Sequence, residues 1–403
     1  MARNPDTTDI LIAGAGPVGL MAAARLRQLG LTVRVLEAAA DPMQDLRAST
    51  FHPPTLEMLA ELGLADRLIA QGLKAPEYQY RVRATDEVFS FDLGEIADAT
   101  AFPYRLQCEQ YKLTAELAAH LEHDDGCDVL FQRRVLSFRQ DGDGVEVHAE
   151  APFGIERYRA AFLIAADGAN SVIRKWLGIE FDGFTYPEKF LTMSTLEPLE
   201  DYFPRLCYVN YISDPDEWLV LLRAPSAWRV LVSVPDQVDD DELTSDAWKV
   251  TLFDRLIGRG EATRTIHRTI YSVHQRVAKR YFDGRVILAG DAAHLNNPLG
   301  GLGINSGIHD VWNLAPRLER ILRAGASADD ELGQYQRQRR HTMQSFIQNQ
   351  TIHNKEAMEA KTTAAQERYQ AEMRAIHGDC DQRRAFMIRQ SMLGSLRDEA
   401  RID

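Results

Sequence analysis

The hydrophobic pattern opens with a short apolar run, Ile10-Leu11-Ile12-Ala13, of the kind a strand buried on both faces shows. An alanine-rich stretch from Pro17 to Leu29 reads as a helix closed by Gly30, and Thr32-Val33-Arg34-Val35-Leu36 reads as the next strand. Pro53 opens a second helix, with Leu56, Leu59, Leu62 and Leu64 on one stripe and a stop near Gly63. Alternation from Tyr78 to Leu93 around a Thr-Asp-Glu turn at 85–87 predicts a β-hairpin, and 110–122 is helical again. Val129 to Val147 predicts paired strands turning at Asp141-Gly142-Asp143-Gly144. Phe162–Ala165 and Val286–Ala289 are short strands of the buried type. Residues 189–234 are rich in β-branched and aromatic side chains, which predicts strands around Tyr208, at Leu219–Leu222 and at Val230–Val234. The acidic run Asp239–Glu242 suits a helix start. From Gly303 the pattern is helical, and no Gly or Pro interrupts 334–377, which predicts one or two long helices covering the body.

The order is therefore βαβ, a mostly β middle and a helical end. The short strands at 129–131, 162–165 and 286–289 are too isolated to make sheets alone, so they are expected to return to the first sheet and interleave the domains. At about 150 residues per domain, 403 residues make between two and three. With 45% hydrophobic and 26% charged residues the chain is neither disordered nor fibrous. Its net charge of −13 would be repelled by a phosphate backbone, which argues against nucleic acid. Arg337, Arg339 and Arg340 form the densest basic cluster and read as a solvated helix face. Cys108, Cys127, Cys207 and Cys380 include no C-x-x-C pair, so neither a disulfide framework nor a metal site is expected, and free thiols suit a reducing cytoplasm. No signal peptide or membrane span is expected either, since Met1–Asp9 lacks an apolar core and no apolar run approaches spanning length.

The candidate chemistry starts at Gly14-Ala15-Gly16-Pro17-Val18-Gly19, placed after a strand and opening a helix. Gly14 permits the tight turn, Gly16 lets backbone approach a pyrophosphate, and Gly19 allows close helix–strand packing. Glu37, at the end of the second strand, could accept the hydroxyls of an adenosine ribose. Three alanines follow it, so no neighbouring arginine offers to bind a 2′-phosphate. This fingerprint alone leaves NAD and FAD both open. Two further segments follow buried strands: Ala165-Ala166-Asp167-Gly168 running to Ser171 and Arg174, and Gly290-Asp291-Ala292-Ala293-His294 running through Pro298, Gly300, Gly301 and Gly303 to Asn305.

In this order and at these distances the three motifs resemble the class A, single-component flavoprotein aromatic hydroxylases of the para-hydroxybenzoate hydroxylase type, over about residues 9–325. The resemblance implies FAD as resident cofactor, NAD(P)H as a co-substrate visiting a groove, and hydroxylation of a phenolic or hydroxy-heteroaromatic compound by O2 through a flavin C4a-hydroperoxide. Asp291 would hold a ribityl hydroxyl, and the backbone N–H groups of the turn at Gly301 and Gly303 would face the N1/O2 edge of the flavin. Asp167 would hold the loop carrying Arg174, near both FAD and the pyridine nucleotide. Arg47 matches the family's arginine near the FAD pyrophosphate, and Gln107 matches a flavin-contacting glutamine. NADH and NADPH remain equally open.

The implied fold is mixed α/β: a Rossmann-like FAD-binding domain with an inserted β-sheet substrate domain and a helical C-terminal region. The FAD-binding parts are expected at 1–75, 100–180 and 265–330, the substrate domain at 76–99 and 181–264, and the helical region at 331–403. The tail caps the body or makes a homodimer contact. His52 and Pro298 are candidates to lie over the flavin ring, and Tyr208, Tyr211, Arg223 and Trp228 to line the pocket for a small aromatic substrate. For Arg223 the competing reading is a solvent-facing strand end, for the tyrosines core packing, for His52 a helix cap. His294 reads as a packed histidine. Two other functions stay in view: an FAD-dependent oxidoreductase acting on a quinone or polyketide without oxygen insertion, and a flavin-binding accessory protein.

Overall fold

The computed structural model describes residues 7–42, 48–214, 217–359 and 362–403. Strand β1 (Thr7–Ala13), helix α1 (Pro17–Gln28) and strand β2 (Val33–Leu36) form the opening βαβ unit. β1 pairs in parallel with β2, Ile10 opposite Val33, and on its other side with Gly154–Ala165, Ile10 opposite Phe162. Val286–Leu288 joins beyond the latter, and Cys127–Leu130 joins beyond β2. The isolated apolar runs thus do return to the first sheet. Ile10, Leu11 and Ile12 are fully buried, because helices cover a parallel sheet and no face is left for polar side chains. The expected hairpin around Asp141–Gly144 exists as Arg134–Gln140 and Val145–Ala151, hung antiparallel on Gly154–Ala165.

The second sheet has eight strands. Its spine is a pair of long antiparallel strands, Phe181–Thr195 and Thr265–Ala278. Ala227–Pro235, Leu219–Ala224 and Val209–Ser213 follow, and the Glu77–Val82/Glu87–Asp92 hairpin closes the order, its first strand parallel to Val209–Ser213. One face packs Leu191, Leu219, Leu221, Trp228 and Val230 against the helix Asp246–Ile257. Ser245 caps that helix by accepting from Trp248 N at 3.1 Å. The other face carries Tyr78, Tyr80, Tyr211 and Val220. A small third sheet joins Thr50–Phe51, Arg105–Gln107 and Leu73–Ala75.

The helical end is more divided than its uninterrupted periodicity predicts. Ala328–Thr342 continues through a π-helical turn, Met343–Gln348, into Asn349–Glu359, followed by Thr363–Gly378, Cys380–Gln390 and Leu393–Glu399. Tyr369, Met373, Met387 and Leu393 are buried in the same cluster as Tyr78, Tyr80 and Tyr211, so these helices cover the tyrosine face of the second sheet. Exposed pairs, Arg374 with Glu87 and Arg384 with Asp98, both at 2.7 Å, add little to that apolar contact. Arg339 corrects the reading of its cluster as a solvated face: Arg337 is exposed, but Arg339 is fully buried between Asp310 and Glu399.

Each of the four buried tail side chains contributes about 1.5–3 kcal/mol of burial, against a total stability of about 5–15 kcal/mol for a typical domain. A chain ending at residue 361 is therefore expected to lose its cooperative thermal transition and bind a hydrophobic dye. A truncated protein that melts at the temperature of the full chain would show that the tail is an appendage.

Candidate active site

The loop between β1 and α1 is built for a close approach. Gly14 N donates to Leu36 O at 2.8 Å with φ at 103°, and a Cβ there would lie 2.4 Å from the carbonyl oxygen of Ala166. A Cβ on Gly19 would lie 2.0 Å from Gly14 O, so helix and turn touch backbone to backbone. Gly16 differs: it caps α1 with no side-chain hydrogen bond, and a Cβ there would meet nothing within 4 Å. The first N–H groups of α1 and the positive end of its dipole thus face open space beside Gly16. Glu37 braces this turn, accepting Ala15 N at 2.7 Å on one oxygen and Ala39 N at 2.8 Å on the other, and its remaining lone pairs keep acceptor capacity. Arg47 lies outside the described residues.

Three loops meet near the C-terminal end of the first sheet. Asp291 sits exposed in the short turn Gly290–Ala292 that follows Val286–Leu288. The Pro298–Asn305 segment makes the glycine turn, with φ of 103° at Gly300 and 69° at Gly301, and Gly301 N donates to Pro298 O at 3.0 Å. Gly303 begins the helix Gly303–Glu319, and Pro298 is half-buried. His52, buried at the start of the helix Pro53–Glu61, shares a 2.8 Å hydrogen bond between Nε2 and Gly300 O, in which the carbonyl can only accept. Gln107 accepts from Thr50 Oγ1 at 3.1 Å, while its Nε2 is buried with no partner.

Asn305, the last residue of the third motif, has its side-chain amide saturated by the protein itself. Oδ1 accepts from His52 N at 3.0 Å and Thr55 Oγ1 at 2.7 Å, and Nδ2 donates to Thr50 O at 3.0 Å and Gly301 O at 2.7 Å. It clamps two loops together. Asp167 accepts from Val172 N at 3.0 Å and Ile173 N at 3.3 Å, and its other oxygen has no partner. Burial pushes its carboxyl above the usual range. Arg174 spans the two loops, donating to Ala292 O at 2.8 Å and Ala169 O at 2.9 Å.

Tyr208 and Arg223 are not part of this site. Side chains alternate across a strand, and Arg223 shares parity with Leu219 and Leu221, which face the helix Asp246–Ile257. Its guanidinium donates to Ala224 O at 2.8 Å and sits 6.0 Å from the centroid of Trp228, whose indole N–H is taken by Glu200 on that same far face. Tyr208, 40% exposed, precedes Val209–Ser213 on the same parity. Tyr211 points the other way and contacts a residue the sequence did not single out, Arg105, at 3.1 Å.

A family model described as FAD binding domain matches residues 7–350. The chain belongs to that family. Para-nitrophenol 4-monooxygenase of Pseudomonas sp. (strain WBC-3) is 31% identical, over 84% of this chain and 84% of that protein. The 6-hydroxy-3-succinoylpyridine 3-monooxygenase of Pseudomonas putida is 32% identical, over 79% and 81%. The crystal structure of a p-nitrophenol 4-monooxygenase from Pseudomonas putida matches with a TM-score of 0.89 at 29% identity, covering 96% of this chain and 99% of that one. The protein is a class A flavin monooxygenase, as its three motifs implied.

A buried charge network joins the Gly290 turn of this monooxygenase to the helix Gly303–Glu319. Asp310 Oδ2 accepts from Gly290 N at 2.9 Å and pairs with His294 Nε2 at 2.6 Å, while Oδ1 accepts from Arg339 Nε at 2.7 Å. Burial would raise the Asp310 carboxyl, but His294 and Arg339 together hold it at about 2. Among the described residues no helix is long and apolar enough to cross a membrane, and no cluster of metal-ligating side chains occurs.

Two histidines beside the site are neutral for one reason. Burial, then the charge of Arg105, holds His52 well below its usual value. Burial, then Arg339, lowers His309 to about 3 despite Asp310. The unfolded chain protonates both near 6.5, so their contribution is complete above that pH and is lost as pH falls below it, for His309 until about 3. Urea denaturation is expected to show a loss of about 2 kcal/mol from His309 by pH 5, with a further loss in the same direction from His52. His309→Gln should flatten this slope by one proton, and an unchanged slope would contradict a neutral His309.

Proposed function

We propose that this monooxygenase holds FAD between the α1 N-terminus and the Pro298–Asn305 turn and hydroxylates a phenolic or hydroxy-heteroaromatic ring using NAD(P)H and O2. The observation that carries the proposal is the match between groups left without a protein partner and the parts of the cofactor. The uncapped α1 N-terminus with open space beside Gly16 suits a pyrophosphate, and the orphaned buried Nε2 of Gln107 suits an acceptor on the flavin ring. The residues present fit FAD.

Gly14 and Gly16 would cradle the pyrophosphate with Arg47, Glu37 the adenosine ribose, Asp291 a ribityl hydroxyl, and the Gly301 and Gly303 backbone the flavin's carbonyl edge. Asp167 and Arg174 would hold the loop beside them. Bound FAD would supply what no side chain here can, carrying electrons from NAD(P)H and delivering oxygen to the ring. His52 and Asn305 fix the glycine turn from behind, and neutral His52 adds no charge that would have to be neutralised next to the cofactor. Pro298, half-buried in the turn, would border the ring. The buried tyrosine face and the tail helices exclude water, which an oxygen-transferring site requires. The relatives named for p-nitrophenol and for a hydroxypyridine both act on rings bearing a hydroxyl, and both insert oxygen, which favours hydroxylation over quinone or polyketide redox chemistry.

Purified protein is expected to copurify with FAD and to consume O2 and NAD(P)H faster in the presence of phenols or hydroxypyridines, with product heavier by one oxygen atom. NAD(P)H oxidation that yields only hydrogen peroxide with every such compound would remove the hydroxylation reading. Gly16→Val offers a separate check on the cofactor site. The apoprotein should melt as the wild type does, since the side chain enters open space, while FAD affinity falls about 10- to 100-fold through lost charge-assisted hydrogen bonds. Undiminished FAD binding would place the pyrophosphate elsewhere.

A further inference from the structure

Arg105 is a buried charge with no counter-ion among the described residues and an unmet donor. It lies on the strand Arg105–Gln107 and is 1% exposed. Nη1 donates to Tyr211 Oη at 3.1 Å, Nη2 reaches Gln390 O at 3.4 Å, and Nε has no partner. Its guanidinium carbon stands 4.2 Å from the centroid of Tyr78. Both hydrogen-bonding partners are neutral. Arg339, equally buried, has two carboxylates, whereas no carboxylate of the described residues pairs with Arg105. An arginine cannot shed its proton to escape burial, and an ion removed from water without a counter-ion is among the costliest arrangements a fold can contain. Such a group is retained where a ligand brings the missing charge.

The surroundings suit a ring with an anionic oxygen. The Tyr78 hydroxyl, beside Arg105, is also buried and unpartnered and can donate to such an oxygen. Tyr80 stacks on Tyr211 at 5.0 Å between centroids, so the cluster has aromatic walls. Arg105 and Gln107 are two apart on one strand, hence on the same side and about 7 Å apart, roughly the span of one substituted benzene ring. Both therefore project from one side of the strand whose Gln107 is assigned above to the flavin. Gln390 O reaches the cluster from the tail, which brings the last helices against Arg105.

We propose that Arg105, oriented by Tyr211 and backed by Tyr78, is the substrate anchor, and that it selects rings whose hydroxyl is bound as the oxyanion. This rests on the hydroxylase reading, since the anchored oxygen is the one that makes the ring electron-rich. Arg105 thus both supplies the counter-charge and favours ionisation of the ring hydroxyl on binding.

The test is equilibrium binding to the oxidised FAD holoenzyme without NAD(P)H, using 4-nitrophenol and its methyl ether, 4-nitroanisole, which cannot ionise. Below the pKa of free 4-nitrophenol, the wild type should show the absorption band of bound phenolate and should prefer the phenol over the ether by about tenfold or more. Arg105→Met should keep its FAD, lose the phenolate band and lose that preference, and its ligand-free melting temperature should hold or rise because an unpaired buried charge is gone. Should Arg105→Met not fold, Arg105→Lys decides instead: the charge without the fork should weaken phenolate binding about tenfold. Wild-type protein that binds both compounds equally or shows no phenolate band, or an Arg105→Met holoenzyme that binds phenolate as tightly as wild type, overturns the proposal. Because no turnover is involved, the anchor can stand where hydroxylation fails, and substrate-dependent oxygen insertion with an unaltered KM in Arg105→Met would remove the anchor alone.

Discussion

The Asp310 carboxylate sits in the interior between the Arg339 guanidinium and the His294 ring, and the geometry of the loops around it depends on it. It accepts from the backbone N–H of Gly290, the residue before Asp291, while its own helix begins at the Gly303 turn and carries Asn305. One side chain therefore ties the loop proposed to hold the ribityl chain to the helix that starts at the turn proposed to face the flavin. His294 and Arg339 keep it ionised, and Arg339 in turn donates to Ser306 O and pairs with Glu399 near the chain's last helix. A buried ion pair of this kind contributes little net stability when intact, but leaving either charge alone costs about 3–5 kcal/mol. Its value lies in geometry. Few arrangements of the loops and the tail satisfy all of its partners at once.

Asn305 repeats this logic with a neutral group. Its four hydrogen bonds bind the Thr50–Thr55 segment to the glycine turn, and His52 adds a fifth link to Gly300 O. A cofactor entering between these loops meets a turn whose conformation is already set, which limits the ordering cost of binding. The substrate side is organised differently, by the two-residue period of a sheet. Tyr211 and Tyr78 fall on the face covered by the tail, while Arg223 and Trp228 fall on the face covered by the helix Asp246–Ile257. The same sheet thus packs one face on the tail helices and the other on an ordinary core helix.

What could be read from the sequence follows from how local each signal is. The glycine fingerprint, Glu37 and the two later motifs were legible because strand, turn and helix lie within a few residues of one another, and the short apolar runs at 162–165 and 286–289 could be assigned to the first sheet because nothing nearby could pair with them. Arg223 was misplaced because an arginine ending an apolar run looks buried until the register with Trp228 settles which face it takes. Arg339 was read as solvated because its neighbours Arg337 and Arg340 mask it, and its partners lie 29 and 60 residues away in sequence. Arg105 carried the one local hint, a charge flanked by Tyr104, Leu106 and Gln107 in a short strand, but its meaning depends on Tyr78, Tyr211 and Gln390, which only the folded chain brings together. The long pair Phe181–Thr195 and Thr265–Ala278 escaped notice because polar residues such as Arg268 and His274 dilute its alternation.

The charge distribution resolves an apparent conflict in a protein of net charge −13 that is proposed to take in FAD, NAD(P)H and an anionic ring. Surface carboxylates act through water and salt, which screen them beyond about 8–10 Å. Arg105, Arg174 and the N-terminus of α1 act from low-dielectric or water-poor positions, where a charge or dipole is felt several times more strongly. Acidic residues outside therefore need not cancel basic groups inside. The exterior sets solubility and discourages non-specific contact with polyanions, while buried guanidinium groups set what the interior accepts. Of these, Arg174 is satisfied by the carbonyls of Ala292 and Ala169, and Arg339 by two carboxylates. Arg105 retains an unpartnered N–H as well as neutral neighbours, so an unbalanced and incompletely bonded positive charge sits on the strand that also carries Gln107.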